Sequence, residues 1–331
     1  MKRFVDLADL TRDEVLALLE LARRLERQPE PHALAGKLLG LVFFNPSLRT
    51  LASFQAAMAR LGGHSLVVNP GQGSWQMESR AGAVMDGAAA EHVREGIPAL
   101  ASYCDALGIR VFAEGRDLAA DLADTAFNAK ASLTAKPLVN LESAVNHPCQ
   151  ALADWKTRDD LAVPRAGRFV LSWAYHPRAL PLAVPAAVLH MAALRGMEVI
   201  VLRPEGFALP PVLMERARRA AVLSGGSVRE TSERAEALAR ADVLYVKEWG
   251  ATERYGEAAL DAQLRRTLTG WCIDNDWFAA APDCRVMHCL PVRRNCAIAD
   301  EVLDSARSVV QREAHNRLPV QMAVLHRLLR S

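Results

Sequence analysis

Six cysteines are scattered over 331 residues, at positions 104, 149, 272, 284, 289 and 296, and no two stand in CxxC spacing. That excludes the common zinc and redox motifs and fits reduced thiols. No apolar run reaches 18 residues, so no membrane-spanning helix is expected. Charge of one sign is also missing: the net charge is +2 with 24% charged residues, too balanced for a nucleic-acid-binding surface. The first residues, MKRFVDLADLTRDE, place acidic side chains where a signal peptide needs an apolar stretch, so a cytoplasmic protein is expected. No GxGxxG opens a helix after the first strand, which argues against a nucleotide-binding oxidoreductase. Internal repeats and low-complexity segments are absent as well.

What is present is a soluble globular composition, 51% hydrophobic, in a chain too long for one compact core. Two α/β domains are predicted, hinged near residue 150. Thr11-Arg12-Asp13-Glu14 is a capping box that opens a helix with Val15, Leu18, Leu19, Ala22 and Leu25 on one face. Leu38 to Phe44 reads as a buried strand, and after Thr50 the spacing of Leu51, Phe54, Met58 and Leu61 is helical. Strands are expected at 64–68, 107–112, 137–141, 168–173, 198–202, near Val228, at 242–246 and from Arg285 to Leu290. Helices are expected near 91–105, 118–128, 151–157, 182–194, 211–222, 233–240 and 315–330. This alternation is that of two doubly wound, largely parallel sheets.

The strand-to-helix junction Pro46-Ser47-Leu48-Arg49-Thr50 combines a helix N-terminus, two hydroxyls and a guanidinium fork, which together suit a phosphate. On the residues alone it could equally be an ordinary capped helix with an exposed arginine. Further polar groups gather at predicted strand ends: Arg110, Glu142, Asn146-His147-Pro148-Cys149-Gln150, His176, Lys247 and Cys289-Leu290-Pro291-Val292-Arg293. Ligands of open α/β sheets bind at the carboxyl ends of strands. The five arginine or histidine positions suggest a dianionic substrate held between the domains.

Ser-Leu-Arg-Thr, His-Pro-Cys-Gln and His-Cys-Leu-Pro, in that order and spacing, closely resemble the signatures of the aspartate and ornithine carbamoyltransferases. Tyr245-Val246-Lys247-Glu248-Trp249-Gly250 replaces the Asp and Ser-Met-Gly elements of the ornithine enzymes. Trp75, Met85-Asp86-Gly87 and the extended His-Cys-Leu-Pro-Val-Arg-Arg-Asn string resemble the N-acylornithine branch. The resemblance implies a carbamoyl-phosphate domain, 1–145 plus 312–331, an acylornithine domain, 146–311, and a C-terminal helix that returns to the first domain. It implies a homotrimer with shared active sites, without metal or cofactor and without nucleic-acid or membrane partners. Carbamoyl phosphate is then assigned to Ser47, Leu48, Arg49, Thr50, Trp75 of a neighbouring subunit, Arg110, His147, Pro148, Cys149, Gln150 and Arg317. Arg49, Thr50, Arg110, His147 and Gln150 carry the catalytic roles. Acylornithine falls to Ala90, Glu142, His176, Lys247, Cys289, Leu290 and Arg293.

Two positions depart from the pattern. Leu51 stands where a second arginine is usual, the one feature that favours a catalytically silent homologue. Ala297 stands where acetylornithine enzymes carry a lysine. The acetyl-specific relatives also carry a glutamate at the position of Ala90. The expected reaction is carbamoyl transfer to N-succinylornithine in arginine biosynthesis, with N-acetylornithine as the alternative acceptor.

Overall fold

The computed structural model describes Met1–Arg330; Ser331, the last residue of the expected first domain, lies outside the described residues. In chain order the elements are β1 (Arg3–Phe4), α1 (Arg12–Arg27), β2 (Leu38–Phe43), α2 (Leu48–Arg60), β3 (His64–Val68), β4 (Met77–Glu78), β5 (Glu91–His92), α3 (Val93–Tyr103), β6 (Ala106–Arg110), α4 (Leu118–Leu122), α5 (Thr125–Ala131) and β7 (Leu138–Glu142). They continue with α6 (Pro148–Asp160), β8 (Arg168–Trp173), α7 (Ala183–Arg195), β9 (Glu198–Leu202), α8 (Pro211–Ser224), β10 (Ser227–Thr231), α9 (Arg234–Leu238), β11 (Val243–Lys247), α10 (Ala258–Arg266), β12 (Arg285–Met287), α11 (Asp300–Leu303) and α12 (Val310–Leu329).

The chain forms two compact units. Unit 1 holds Met1–Glu114, Ala119–Cys149 and the residues from Arg317 onward; unit 2 holds Gly115–Leu118 and Gln150–Asn316. Unit 1 is built on a sheet of order β1-β7-β6-β2-β3, unit 2 on one of order β10-β9-β8-β11-β12. Every neighbouring pair in both sheets is parallel. This is the expected doubly wound α/β class. Parallel strands covered on both faces are largely apolar, and β2, β6, β8 and β11 are buried almost end to end.

Local sequence explains the helices. Thr11 Oγ1 accepts from Glu14 N while the Glu14 carboxylate accepts from Thr11 N, closing the predicted capping box of α1. Its predicted face, Val15, Leu18, Leu19, Ala22 and Leu25, is buried. Each fully buried leucine or valine contributes about 1.5–3 kcal/mol. α7 is buried at every position, which its near-continuous apolar run requires. Gly62 ends α2 at φ 79°, and a Cβ there would lie 2.1 Å from the Pro31 carbonyl oxygen.

Three expectations are corrected. The helix expected over 118–128 is two, α4 and α5, broken at Asp124, which sits at φ 54°. The strand expected to reach Leu290 stops at Met287, and the chain then turns through a left-handed Leu290. α12 starts at Val310 rather than near 315. No described helix is long and apolar enough to cross a membrane.

Candidate active site

In unit 1 the polar side chains cluster where the strands end. β2 passes through Asn45-Pro46 into Ser47, the extended N-cap residue of α2, whose Oγ accepts from Thr50 N at 3.3 Å. Asn45 Oδ1 accepts from Phe112 N at 2.8 Å, tying this turn to the chain leaving β6. Leu48 points outward, 78% exposed, whereas Thr50 is fully buried. Thr50 Oγ1 accepts from Arg317 Nη2 of α12 at 2.7 Å. The cradle therefore has a second guanidinium contributed from 267 residues downstream.

Arg110 ends β6 and Glu142 ends β7; they are register partners, and the Arg110 guanidinium donates to the Glu142 carboxylate. Arg110 also lies over the Phe112 ring, 4.5 Å from its centroid. The same Glu142 oxygen is 3.4 Å from His147 Nε2. Glu142, assigned from sequence to the acylornithine, thus sits among groups assigned to carbamoyl phosphate.

Burial, followed by the charges of Arg317, Arg110 and Arg49, holds His147 well below the ordinary histidine pKa, so its ring is neutral near pH 7. Arg110 Nε, Arg317 Nε and His147 Nδ1 are buried without a hydrogen-bond partner among the described residues. Concentrated positive charge with uncommitted nitrogens is the electrostatic complement of an oxyanion. Pro148 and Cys149 begin α6. Burial pushes the Cys149 thiol up to about 12, the nearby Arg317 opposing, so it is a thiol and not a thiolate nucleophile.

Trp75 and Ala90 lie elsewhere in unit 1. Trp75 is 59% exposed and its Nε1 donates to the Glu91 carboxylate at 2.7 Å. Ala90 is exposed on a bend immediately before β5. A cavity of about 420 Å³ beside this loop is lined by residues including Phe44, Met77, Glu78, Arg80, Met85 and Ala89. Hydrogen bonds from Arg80, side chain first, draw the half-buried Glu78 carboxyl down to about 2.

Unit 2 holds the second group. Lys247 ends β11, is buried, and places Nζ 2.8 Å from the Glu248 carboxylate. Burial raises the Glu248 pKa, but Lys247 and His288 overcome it and keep the group ionised. His288 Nδ1 accepts from Leu290 N at 2.9 Å, so the ring proton lies on Nε2, 3.5 Å from Glu248. Leu290 at φ 55° is held in place by that bond. Arg293 Nε donates to His176 Nε2 at 2.9 Å, and His176 Nδ1 lies 2.8 Å from the Arg178 carbonyl oxygen. A ring that accepts at Nε2 and donates at Nδ1 is neutral, in line with a pKa lowered first by burial. Cys289 is half-buried beside these groups in sequence.

Gln150 is buried in unit 2, with both side-chain N–H groups donated to carboxyls: Asp154 Oδ1 at 2.8 Å and Glu313 Oε1 at 3.0 Å. Sequence reasoning missed Asp154, Glu248 and Glu313. A signal existed for Asp154, which stands four residues after Gln150 on one helix face. Glu248 was legible only as an acidic residue in an apolar string, and Glu313 not at all.

Two family models match this chain: the carbamoyl-P binding domain of aspartate/ornithine carbamoyltransferase over residues 2–159, and its Asp/Orn binding domain over 184–328. An N-acetylornithine carbamoyltransferase from Xanthomonas campestris pv. campestris is 36% identical over 333 residues, covering 99% of this chain and 98% of the relative. An N-succinylornithine carbamoyltransferase from Bacteroides fragilis is 34% identical over 295 residues, covering 88% and 87%. Among solved structures, a glutamate-to-alanine variant of N-acetyl-L-ornithine transcarbamylase, complexed with carbamyl phosphate and N-succinyl-L-norvaline, superposes with a TM-score of 0.94 at 36% identity, covering 99% of this chain and 100% of that one. The chain belongs to the aspartate/ornithine carbamoyltransferase family. It is a carbamoyltransferase, of the type these N-acylornithine enzymes represent.

Proposed function

We propose that this enzyme transfers the carbamoyl group of carbamoyl phosphate to the δ-amine of N2-succinyl-L-ornithine, giving N-succinyl-L-citrulline and phosphate on a route to arginine. The observation that carries the choice of acceptor is Ala90. A glutamate there would close the end of the acyl pocket and set a carboxylate against the succinyl carboxylate; like charges at close range cost several kcal/mol when desolvated, on the order of 4. Acetylornithine relatives whose structures hold N-succinyl-L-norvaline carry alanine, serine, proline or valine in place of a glutamate, which supports this reading.

Ser47, Leu48, Arg49, Thr50, Arg110, His147 to Gln150 and Arg317 bind carbamoyl phosphate, and His176, Lys247, Cys289, Leu290 and Arg293 bind the acylornithine. Glu142 orients Arg110, which leaves the single N–H of the neutral His147 ring for the substrate. The δ-ammonium, with a pKa of ~10 in water as for lysine, must first lose a proton to the solvent. Its nitrogen then forms a bond to the carbamoyl carbon, and charge collects on the carbamoyl oxygen, where Thr50, Arg110 and His147 stabilise it. The carbon–oxygen bond to phosphate breaks with its electron pair on oxygen, and the departing phosphate takes up a proton released by the amine. The uncharged Cys149 has no covalent role in this scheme.

The active form is a cytoplasmic homotrimer in which Trp75 reaches a neighbour's site. In support, Trp75, Leu48 and Val84 are large apolar side chains that a lone chain leaves exposed. N-acetylornithine is the second reading. It is favoured by the Lys247–Glu248 pair, which offsets one of the cations available for two carboxylates. Phosphate release measured with ornithine, N-acetylornithine and N-succinylornithine separates the readings. The expected result is a higher kcat/KM for N-succinylornithine that Ala90→Glu reverses; a wild type preferring N-acetylornithine, or an unmoved preference in the variant, overturns it.

A further inference from the structure

Gln150 lies in a fully buried polar cluster at the start of α6. An amide nitrogen carries two hydrogens, and both are committed here, one to Asp154 Oδ1 and one to Glu313 Oε1. Gln150 Oε1 is buried and has no hydrogen-bond partner among the described residues. A flipped amide would aim both N–H bonds where Oε1 finds no partner and leave two buried donors unsatisfied, which fixes the orientation.

Glu313 does more than hold the amide. Its Oε1 also accepts from Tyr245 Oη at 3.1 Å, and its Oε2 accepts from His288 N at 2.9 Å, where the Cys289–Leu290 segment begins. The cluster therefore joins three elements: α6 through Gln150 and Asp154, β11 through Tyr245, and α12 through Glu313. Asp154, Glu313 and Gln150 are all essentially inaccessible to water. Burial lifts both carboxyls above their usual range, and Arg158 opposes the rise at Asp154. Such expense in buried polarity is unusual where apolar packing would suffice.

We propose that Asp154 and Glu313 are positioning residues of the transfer reaction: they consume both N–H bonds of Gln150 and thereby present its Oε1 as the acceptor for the NH2 group of the bound carbamoyl moiety. This rests on the reading that Gln150 takes part in carbamoyl phosphate binding. Glu313, by the same carboxyl, fixes the backbone at His288, so one side chain sets a group from each set of assigned substrate residues.

A kinetic double-mutant cycle tests the idea. Asp154→Asn keeps an oxygen for Gln150 and supplies an N–H towards Glu313; kcat is expected within about 5-fold of wild type. Asp154→Leu, of the same shape without polarity, is expected to lower kcat by about 30-fold or more, with a raised KM for carbamoyl phosphate. In a Gln150→Leu background the same Asp154→Leu change should cost under about 3-fold, because its effect runs through the missing amide. A merely structural role predicts equal losses in both backgrounds, or equal losses for the asparagine and leucine variants, and either overturns the proposal. A second measurement needs no variant at Asp154. The Gln150 side-chain NH2 signals of the wild type, identified by their loss in Gln150→Leu, should be strongly protected from solvent exchange; rapid exchange overturns the proposal. Wild-type protein inactive with carbamoyl phosphate and both acylornithines would instead overturn the reading beneath it.

Discussion

Arg49 and Thr50 behave oppositely within one turn of helix. Thr50 is sealed and bonded to Arg317, whereas Arg49 keeps part of its surface in solvent and lies near enough to depress both His147 and Arg317 electrostatically. If Arg49 grips the leaving phosphate, its contact strengthens as the carbon–oxygen bond breaks. Arg49→Ala should then fold normally and lose at least about 100-fold in turnover, roughly 3 kcal/mol. Near-normal turnover at saturating carbamoyl phosphate would remove Arg49 from the site. At this scale sequence was a good guide to cations and a poor one to their carboxylate partners. Arg49, Arg110, His147 and Lys247 stand in recognisable strings at strand ends. Glu248 and Glu313 acquire meaning only when folding buries them and brings His288 and Gln150 to them.

At the level of elements, strands with clear apolar runs were legible to the residue: His64–Val68, Arg168–Trp173 and Glu198–Leu202 match the sequence expectation. Two of the misses share a cause, a side chain that overrides local propensity. His288 captures the Leu290 amide and turns the chain out of β12. Asp124 breaks the helix expected over 118–128 because its carboxylate serves a distant turn. Its Oδ1 accepts from Ala144 N at 2.9 Å, and its Oδ2 from Ser143 Oγ at 2.5 Å and Asn146 Nδ2 at 3.2 Å. That turn leads directly into His147. Asp124→Ala would strand several buried donors, each costing about 1–3 kcal/mol. A fall in the denaturant midpoint worth about 2–4 kcal/mol is expected, measured with unchanged m-value. A midpoint equal to wild type would show that the turn holds without this carboxylate.

For the molecule as a whole, the doubly wound fold was foreseeable from alternating apolar runs, yet the stability of that fold against acid depends on burial that no run reveals. His147, His176 and His326 all have folded pKa values lowered, in each case by burial first. A lowered histidine pKa means that the unfolded chain binds the proton more readily, so stability falls as pH drops through about 6.5. Glu313 and Asp154 are raised and act in the other direction: the stability from their protonated forms is lost as pH rises through their folded values. The overall slope mixes these terms, but a single substitution isolates one of them. His147 is lowered well below the ordinary value, so while it stays neutral in the folded state its share approaches about 1.4 kcal/mol per pH unit below 6.5. Unfolding free energies of wild type and His147→Gln, compared between pH 7.5 and 5.5, should therefore converge as the solution is acidified, because the glutamine chain has no proton to gain on unfolding. Parallel curves would mean that His147 titrates alike in both states, and that the arginines around it do not keep it neutral.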